Sequence, residues 1–282
     1  MTFLITGATG EIGSRVVTGL LELRARPRVF VRDPQKAYTR FGDRVDVFVG
    51  DLRDSASLRA ALQGIDALFL VTTGPAIPVR DETAARAAKA TGVKHIVKLS
   101  SLDVEQGLAI GGWHERGEAA IRGSGIPFTF VRPSGFMSNL LCWATSIRSE
   151  GIVRASTGNG KRAFIHSDDI AAVATKALIT REYYGKSLPI TGPKALSFGE
   201  ATDKIGTAIR KRLRFQPISD EEARQRYAAT EASPAETEAH VVLWRAIREG
   251  RLGAVTQTVQ QVLGRRAITL DQWASDNAAA FR

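Results

Sequence analysis

A glycine-rich loop, Gly7-Ala8-Thr9-Gly10-Glu11-Ile12-Gly13, follows a run of apolar and β-branched residues, Thr2–Thr6, and opens a helical pattern from Glu11 to Glu22. One glycine lets the chain turn tightly, another lets the backbone approach a ligand, and a third lets the helix pack close to the strand. The start of such a helix offers backbone N–H groups without partners and the positive end of its dipole. The loop is therefore suited to receive phosphate groups. Glycine triplets also occur as plain structural turns. The strand–turn–helix setting at the head of the chain favours phosphate binding.

The first two thirds of the sequence alternate between short apolar runs and helical patterns, the signature of βαβ units and a parallel sheet. Strands are predicted at Thr2–Thr6, Arg28–Val31, Val45–Val49, Ala67–Val71, His95–Leu99 and Phe128–Val131, with helices near Glu11–Glu22, Ser55–Ala61, Asp81–Thr91 and Trp113–Arg122. Gly92 and Gly125 stand where left-handed helix caps are expected. After residue 131 the rhythm changes to an apolar helix over Gly135–Ser149, strands near Ile152–Ala155, Ala163–Ile165 and Lys186–Ile190, and a helix over Ser167–Ile179. Beyond Ser197 the chain reads as mainly helical, with one strand at Leu213–Pro217. The fold class expected is α/β: a Rossmann-type, doubly wound parallel sheet with a smaller, mainly helical C-terminal lid region. One unit over 1–282 is expected, with the nucleotide-binding core in 1–133 and a mixed part in 134–282 that completes the sheet and forms the substrate lid.

Bulk properties exclude several classes. Hydrophobic residues make up 44% and charged residues 24%, an ordinary globular balance without low-complexity linkers. No apolar stretch approaches the roughly 20 residues of a membrane span, and the N-terminus lacks a basic leader, so the cytoplasm is the expected location. The single cysteine, Cys142 between Leu141 and Trp143, forms no internal disulfide and reads as a small buried hydrophobe rather than a nucleophile. The net charge of +10 attracts anions and fits either a polyphosphate cofactor or nucleic acid. The basic residues are dispersed, however, and the densest cluster, Arg210-Lys211-Arg212 with Arg214, lacks aromatic interleaving. It reads as a solvated helix face, and no nucleic-acid partner is expected.

The strand tips fill in the ligand. The second predicted strand ends in Val31-Arg32-Asp33-Pro34, with Arg32 lying 19 residues after Gly13. An acidic residue at that tip would bond a ribose 2′-hydroxyl, whereas a guanidinium suits a 2′-phosphate. Arg32 holds the place and Asp33 falls one residue later, on the other side of an extended chain, so NADP(H) is expected rather than NAD(H). Lys36 either assists or is a solvent-exposed lysine. Asp51 is placed to accept from the adenine amino group with Leu52 against the ring; a helix cap is the alternative, a role that Ser55 serves better. Thr72-Thr73-Gly74 would flank the ribose and pyrophosphate. Ser100-Ser101, closing the fifth strand, would lie beside the nicotinamide, and Pro133 is counted with the cofactor contacts and the substrate side.

These stretches resemble the NmrA-like branch of the atypical short-chain dehydrogenase/reductase superfamily. The likeness is carried by GATGEIG, VRDP, GVKHIVKLSS and SGIPFTFVRPSGFMSN, then AFIHSDDIAAVATKAL and LPITGPKALSFGEA, and spans roughly residues 1–215. It implies kinship with bacterial members that use NADPH to reduce quinones or triphenylmethane dyes. The same branch includes proteins that bind the nucleotide without turnover and regulate transcription factors.

One departure bears on chemistry. Most dehydrogenases of the superfamily carry Tyr-x-x-x-Lys on the helix after the fifth strand, the tyrosine acting as proton donor. Aligned on Glu118, which matches a glutamate the family often has there, the tyrosine slot falls on Ile110 and the lysine slot on His114; Glu118 itself is read as structural, pairing with a nearby basic group. His114 is then the candidate acid or ribose-holding group, or a histidine that only bonds the backbone at the pocket rim. The substrate side is expected to involve Trp113, Phe136, Met137, Asn139, Leu140 and Trp143; Asn139 matches an asparagine that the family places there. An apolar stripe at helical spacing is equally what a core-facing helix shows. His166, Asp168 and Asp169 read as a helix start, with Ser167 or Asp168 capping, rather than a metal site. The sequence reading is thus a monomeric or homodimeric NADPH-dependent reductase of a quinone-like or other electron-poor, small hydrophobic aromatic compound. Its alternatives are a non-catalytic NADP(H)-sensing regulator and a non-redox cyclase or isomerase on the same fold.

Overall fold

The computed structural model describes residues 1–230 and 232–282. The chain divides into two compact units whose segments interleave. The first comprises Met1–Ser101, Gly112–Arg132 and Ser167–Leu188; the second comprises Leu102–Gly111, Pro133–His166 and Pro189–Arg282.

The first unit is built on strands β1 (Phe3–Thr6), β2 (Arg28–Val31), β3 (Asp46–Val49), β4 (Ala67–Leu70), β5 (His95–Leu99) and β6 (Phe128–Pro133). Between them run α1 (Glu11–Glu22), α2 (Pro34–Phe41), α3 (Ser55–Leu62), α4 (Ile77–Ala90) and α5 (Ala109–Gly123). Further along lie β7 (Ile152–Ala155), β8 (Lys161–Arg162), α6 (Ala144–Glu150), α7 (Ser167–Ile179) and β9 (Lys186–Ile190). The sheet order is β3-β2-β1-β4-β5-β6-β9, and each pairing from β3 to β6 is parallel. The reversal of order beside β1 is the switch point at which such sheets bind their ligands. β1 and β4 are buried at every residue, which is why they read as near-continuous apolar runs rather than alternating ones; β5 is equally buried though it carries His95 and Lys98. α1 turns Ile12, Val16, Val17 and Leu20 inward, and α7 packs along it.

α2 was not expected from the sequence. Asp33 caps it by accepting from the N–H groups of Gln35 and Lys36, and Pro34 occupies its first turn, where a missing N–H costs nothing. The cap on α3 is Asp54, not Ser55; Asp54 accepts from Ala56 N–H and Ser55 is the first helical residue.

In the second unit, Met137–Trp143 winds as a 3-10 segment before α6, where one continuous helix was expected. β7 pairs in parallel with β11 (Arg214–Pro217), and β8 pairs antiparallel with β10 (Leu196–Ser197). The remainder is helical: α8 (Phe198–Ile209), α9 (Asp220–Ala228), α10 (Pro234–Arg248), α11 (Thr258–Leu263) and α12 (Leu270–Asp276). Capping boxes at Ser197/Glu200 and Ser233/Glu236 start α8 and α10. Among the described residues, no helix is long and apolar enough to cross a membrane.

Candidate functional site

The glycine loop has the geometry its sequence demands. Gly7 sits at φ +60°, a left-handed conformation that side chains disfavour, and its carbonyl accepts from Gly10 N–H at 2.9 Å. Gly13 has no room for a side chain, because a Cβ there would lie 2.2 Å from the Gly7 carbonyl oxygen. α1 begins after Gly10 with no side chain capping it, so its first N–H groups could receive phosphate oxygens. Ala8 and Ile12 are buried beneath the loop, while Gly7, Gly10 and Glu11 are exposed and Thr9 half-buried. The Glu11 carboxylate accepts from the Ser167 hydroxyl, and Arg15 pairs with Asp168 at 2.7 Å. These two links tie α1 to the start of α7. They also account for Ser167 and Asp168, whose side chains serve this junction.

Arg32 is exposed at the end of β2, whereas Asp33 is committed to capping α2. The one-residue offset between them thus separates an exposed guanidinium from a structural carboxylate. Asp51 is more occupied than expected. The Arg53 side chain donates to both of its oxygens, at 3.1 and 3.0 Å, and Arg53 N–H donates to one at 2.8 Å. With Arg32 adding positive charge nearby, the Asp51 carboxyl is held at a pKa of about 2. An adenine amino group would share these oxygens with Arg53. Leu52 is half-buried against the α3/α4 core beside it.

At the other strand tips, several expected ligand residues turn inward. The Thr72 hydroxyl donates to Asp81 at 2.7 Å and accepts from Lys98 Nζ at 3.2 Å. Lys98 and Asp81 form a 2.6 Å ion pair, and both side chains are fully buried. Gly117 on α5 makes room for this pair, since a Cβ there would lie 2.0 Å from Asp81 Oδ2. The Ser100 hydroxyl is likewise taken, donating to Glu118 at 2.6 Å. Glu118, fully buried, pairs with Arg132 at 2.6 Å and Arg122 at 2.7 Å, the structural role expected of it. Thr72 and Ser100 therefore tie β4, β5 and α5 together, their hydroxyl protons committed to Asp81 and Glu118. Thr73 is exposed, and Gly74 and Ser101 are half-buried.

His114 on α5 is buried, and its Nδ1 has no partner. Burial, reinforced by the positive charge of Lys98, pushes its pKa down to about 3. It is therefore a neutral imidazole near pH 7 and cannot act as an imidazolium acid; what it retains is one hydrogen-bonding nitrogen without a partner. Trp113, its neighbour, is half-buried. Lys98 and Asp81 were missed by sequence reasoning. The signal was present, a lysine inside an otherwise apolar strand, His95-Ile96-Val97-Lys98-Leu99.

In the second unit, Met137, Leu140 and Trp143 belong to the hydrophobic core, at 1%, 2% and 6% exposure, with Trp143 packed on Phe198. Their stripe is a core stripe, and they line no surface. Phe136 is half-buried, Asn139 exposed and Pro133 buried. Cys142 is exposed, contrary to expectation, but crowding of its thiol raises the pKa to about 11, so it stays protonated.

Uncapped helix start, glycine-rich loop and exposed arginine together fit a dinucleotide with an extra phosphate. The NAD(P)H-binding family profile matches residues 7–181. The chain belongs to that family. Full-length relatives agree. A (4-alkanoyl-5-oxo-2,5-dihydrofuran-3-yl)methyl phosphate reductase of Streptomyces griseus is 40% identical, over 99% of this chain and 98% of its own length. An NAD(P)H azoreductase of Xenophilus azovorans is 36% identical, over 99% and 98%. Among solved structures, an NADPH-dependent quinone oxidoreductase from Escherichia coli superposes with a TM-score of 0.87 at 25% identity, covering 98% of this chain and 99% of the other. The resemblance to the NmrA-like branch holds, and this member of the family is an NAD(P)-dependent oxidoreductase.

Proposed function

We propose that this protein uses NADPH to reduce an electron-poor conjugated compound, a quinone-like aromatic or an alkene activated by carbonyl groups. The observation that carries the reading is a glycine loop and uncapped helix start on a chain without a proton donor where the superfamily keeps one. Ile110 and His114 fill the dyad slots, and the one imidazole there is neutral near pH 7. Bound NADPH would supply a hydride. An acceptor whose reduced form is a delocalised anion does not require simultaneous protonation, because water can provide the proton afterwards. An unactivated ketone lacks that route.

The relatives support this reading by what their names have in common. Quinones and azo compounds are conjugated acceptors, and so is a dihydrofuranone carrying an alkanoyl group on its ring alkene. The last of these also bears a phosphate monoester, which makes a phosphorylated acceptor a natural member of the panel. Arg32 supports NADPH over NADH. The roles left to this chain's residues are to seat the diphosphate on the N–H groups from Glu11 to Gly13, to pair Arg32 with the 2′-phosphate, and to hold the β4, β5 and α5 edge rigid through Lys98–Asp81 and Glu118–Arg132. The test is NADPH oxidation by purified protein with quinones, azo dyes and an acyl dihydrofuranone. Turnover of at least one, faster with NADPH than NADH, is expected; rates equal to the no-enzyme background throughout would overturn the reading.

A further inference from the structure

Glu11 places a negative charge where the helix start favours phosphate. It is the first residue of α1, and its own N–H is one of those left without an intrahelical partner. A carboxylate in the first turn of a helix is attracted to the positive end of the dipole, the same end that attracts phosphate. Left to itself, Glu11 would compete with a pyrophosphate for the N–H groups of α1. Yet no side chain caps α1. The Glu11 carboxylate is engaged elsewhere, accepting from the hydroxyl of Ser167, which opens α7, 156 residues further along the chain.

The surroundings hold this contact in place, and both helices belong to the first unit. Ser167 is 4% exposed, so packing sets the position of its hydroxyl. One turn along α1, Arg15 donates from Nη1 to the Glu11 carbonyl oxygen at 2.9 Å and from Nε to Asp168 at 2.7 Å. A single guanidinium thus spans from the backbone of Glu11 to the residue after Ser167. Two turns along, Gly19 lets the helices approach closely, since a Cβ there would lie 3.1 Å from Thr175 Oγ1 on α7. A hydroxyl gives the carboxylate a hydrogen bond but leaves its charge in place. The arrangement therefore directs the carboxylate without neutralising it.

We propose that Ser167 is a positioning residue of the cofactor site: its hydroxyl draws the Glu11 carboxylate toward α7 and keeps the N–H groups of Glu11, Ile12 and Gly13 available to the pyrophosphate. This rests on the phosphate-binding role of the helix start given above. Ser167 acts through Glu11 and takes no part in reduction.

Calorimetric titration of the full-length protein with NADPH tests this, with thermal unfolding alongside. Ser167→Ala should weaken NADPH binding about ten-fold, the size of one charge-assisted hydrogen bond taken from the phosphates, while the melting temperature falls only slightly. Glu11→Gln should bind NADPH about two- to five-fold more tightly than wild type, because a negative charge beside the pyrophosphate is gone. In the double variant Ser167→Ala/Glu11→Gln the loss should vanish, since no carboxylate remains for Ser167 to hold. A merely structural serine would weaken binding in both backgrounds. Ser167→Ala binding within two-fold of wild type overturns the proposal, and so does a loss that persists in the Glu11→Gln background. Should Ser167→Ala fail to fold, Glu11→Gln decides, and binding no tighter than wild type overturns it. Failure of wild type itself to bind NADPH would refute the cofactor reading, whereas wild-type binding with an indifferent Ser167→Ala refutes the role of Ser167 alone.

Discussion

Replacing Gly13 by alanine should cost this protein its cofactor, and the structure sets the size of the effect. The new Cβ would lie 2.2 Å from the Gly7 carbonyl oxygen, 2.6 Å from the Gly7 carbonyl carbon and 3.1 Å from Ala8 Cα. All three are backbone atoms, so no side chain can swing aside. Relief requires the start of α1 to move off the loop by on the order of 1 Å, enough to carry an N–H···O distance of about 2.9 Å out of hydrogen-bonding range. Losing two charge-assisted hydrogen bonds to phosphate, at about 1.5–3 kcal/mol each, weakens binding by about 100-fold or more. The same push strains the Gly7–Gly10 turn, so the melting temperature should fall as well. Gly10→Ala separates the two effects. Its Cβ would meet only the Gly7 oxygen, at 3.2 Å, so stability should hardly change while binding suffers where the pyrophosphate crosses the loop. Gly112→Ala, with open space around its Cβ, is the neutral control. Calorimetric titration with NADPH and thermal unfolding measure both quantities. A Gly13→Ala protein that binds NADPH within three-fold of wild type would refute the reasoning.

Arg32→Ala should weaken NADPH binding by about 10- to 100-fold and leave NADH unaffected, as expected for charge-assisted bonds to a single phosphate; equal losses for both nucleotides would count against a 2′-phosphate contact. His95 and His114 have folded pKa values of about 4 and about 3, below the ordinary 6.5, so the unfolded chain binds more protons between those limits. Stability should therefore be intact above pH 6.5 and fall as the pH drops toward 4, by up to about 1.4 kcal/mol per pH unit for each histidine; a melting temperature that is flat over this window contradicts their burial as neutral rings. Lys98→Met alone should destabilise by about 3–5 kcal/mol, since it strands Asp81 without its partner, whereas Lys98→Met combined with Asp81→Leu should recover much of the loss. Urea unfolding of the four proteins in that cycle would show strict additivity if the ion pair were not a unit.

The parts of the fold legible in the sequence were those with a strong local code. α1 and α7 fall on the residues their apolar periodicity assigned, and the buried strands match to within a residue or two because parallel strands leave uninterrupted apolar runs. α2 was lost because its single turn of apolar spacing, Ala37 to Phe41, is weaker than the turn signal of Asp33-Pro34 that begins it. The tight turn from Gly7 to Gly13 was legible because glycine geometry is local. The roles of Thr72 and Ser100 were not, because whether a hydroxyl at a strand tip faces the crevice or the helix layer depends on partners far away in sequence, Asp81 and Glu118. Met137, Leu140 and Trp143 illustrate the same limit. One stripe of spacing serves a core or a ligand wall, and only the packing against Phe198 and its neighbours decides.

The route of the chain has a consequence for biosynthesis. α7 packs on α1 and β9 extends the sheet beyond β6, yet both belong to a segment synthesised after most of the 3-10 and α6 region. A nascent chain ending near residue 133 would carry the whole glycine loop but leave the buried side of α1 without its cover. The cover of α1 by α7 and of the β6 edge by β9 therefore forms only after residues up to about Ile190 have left the ribosome.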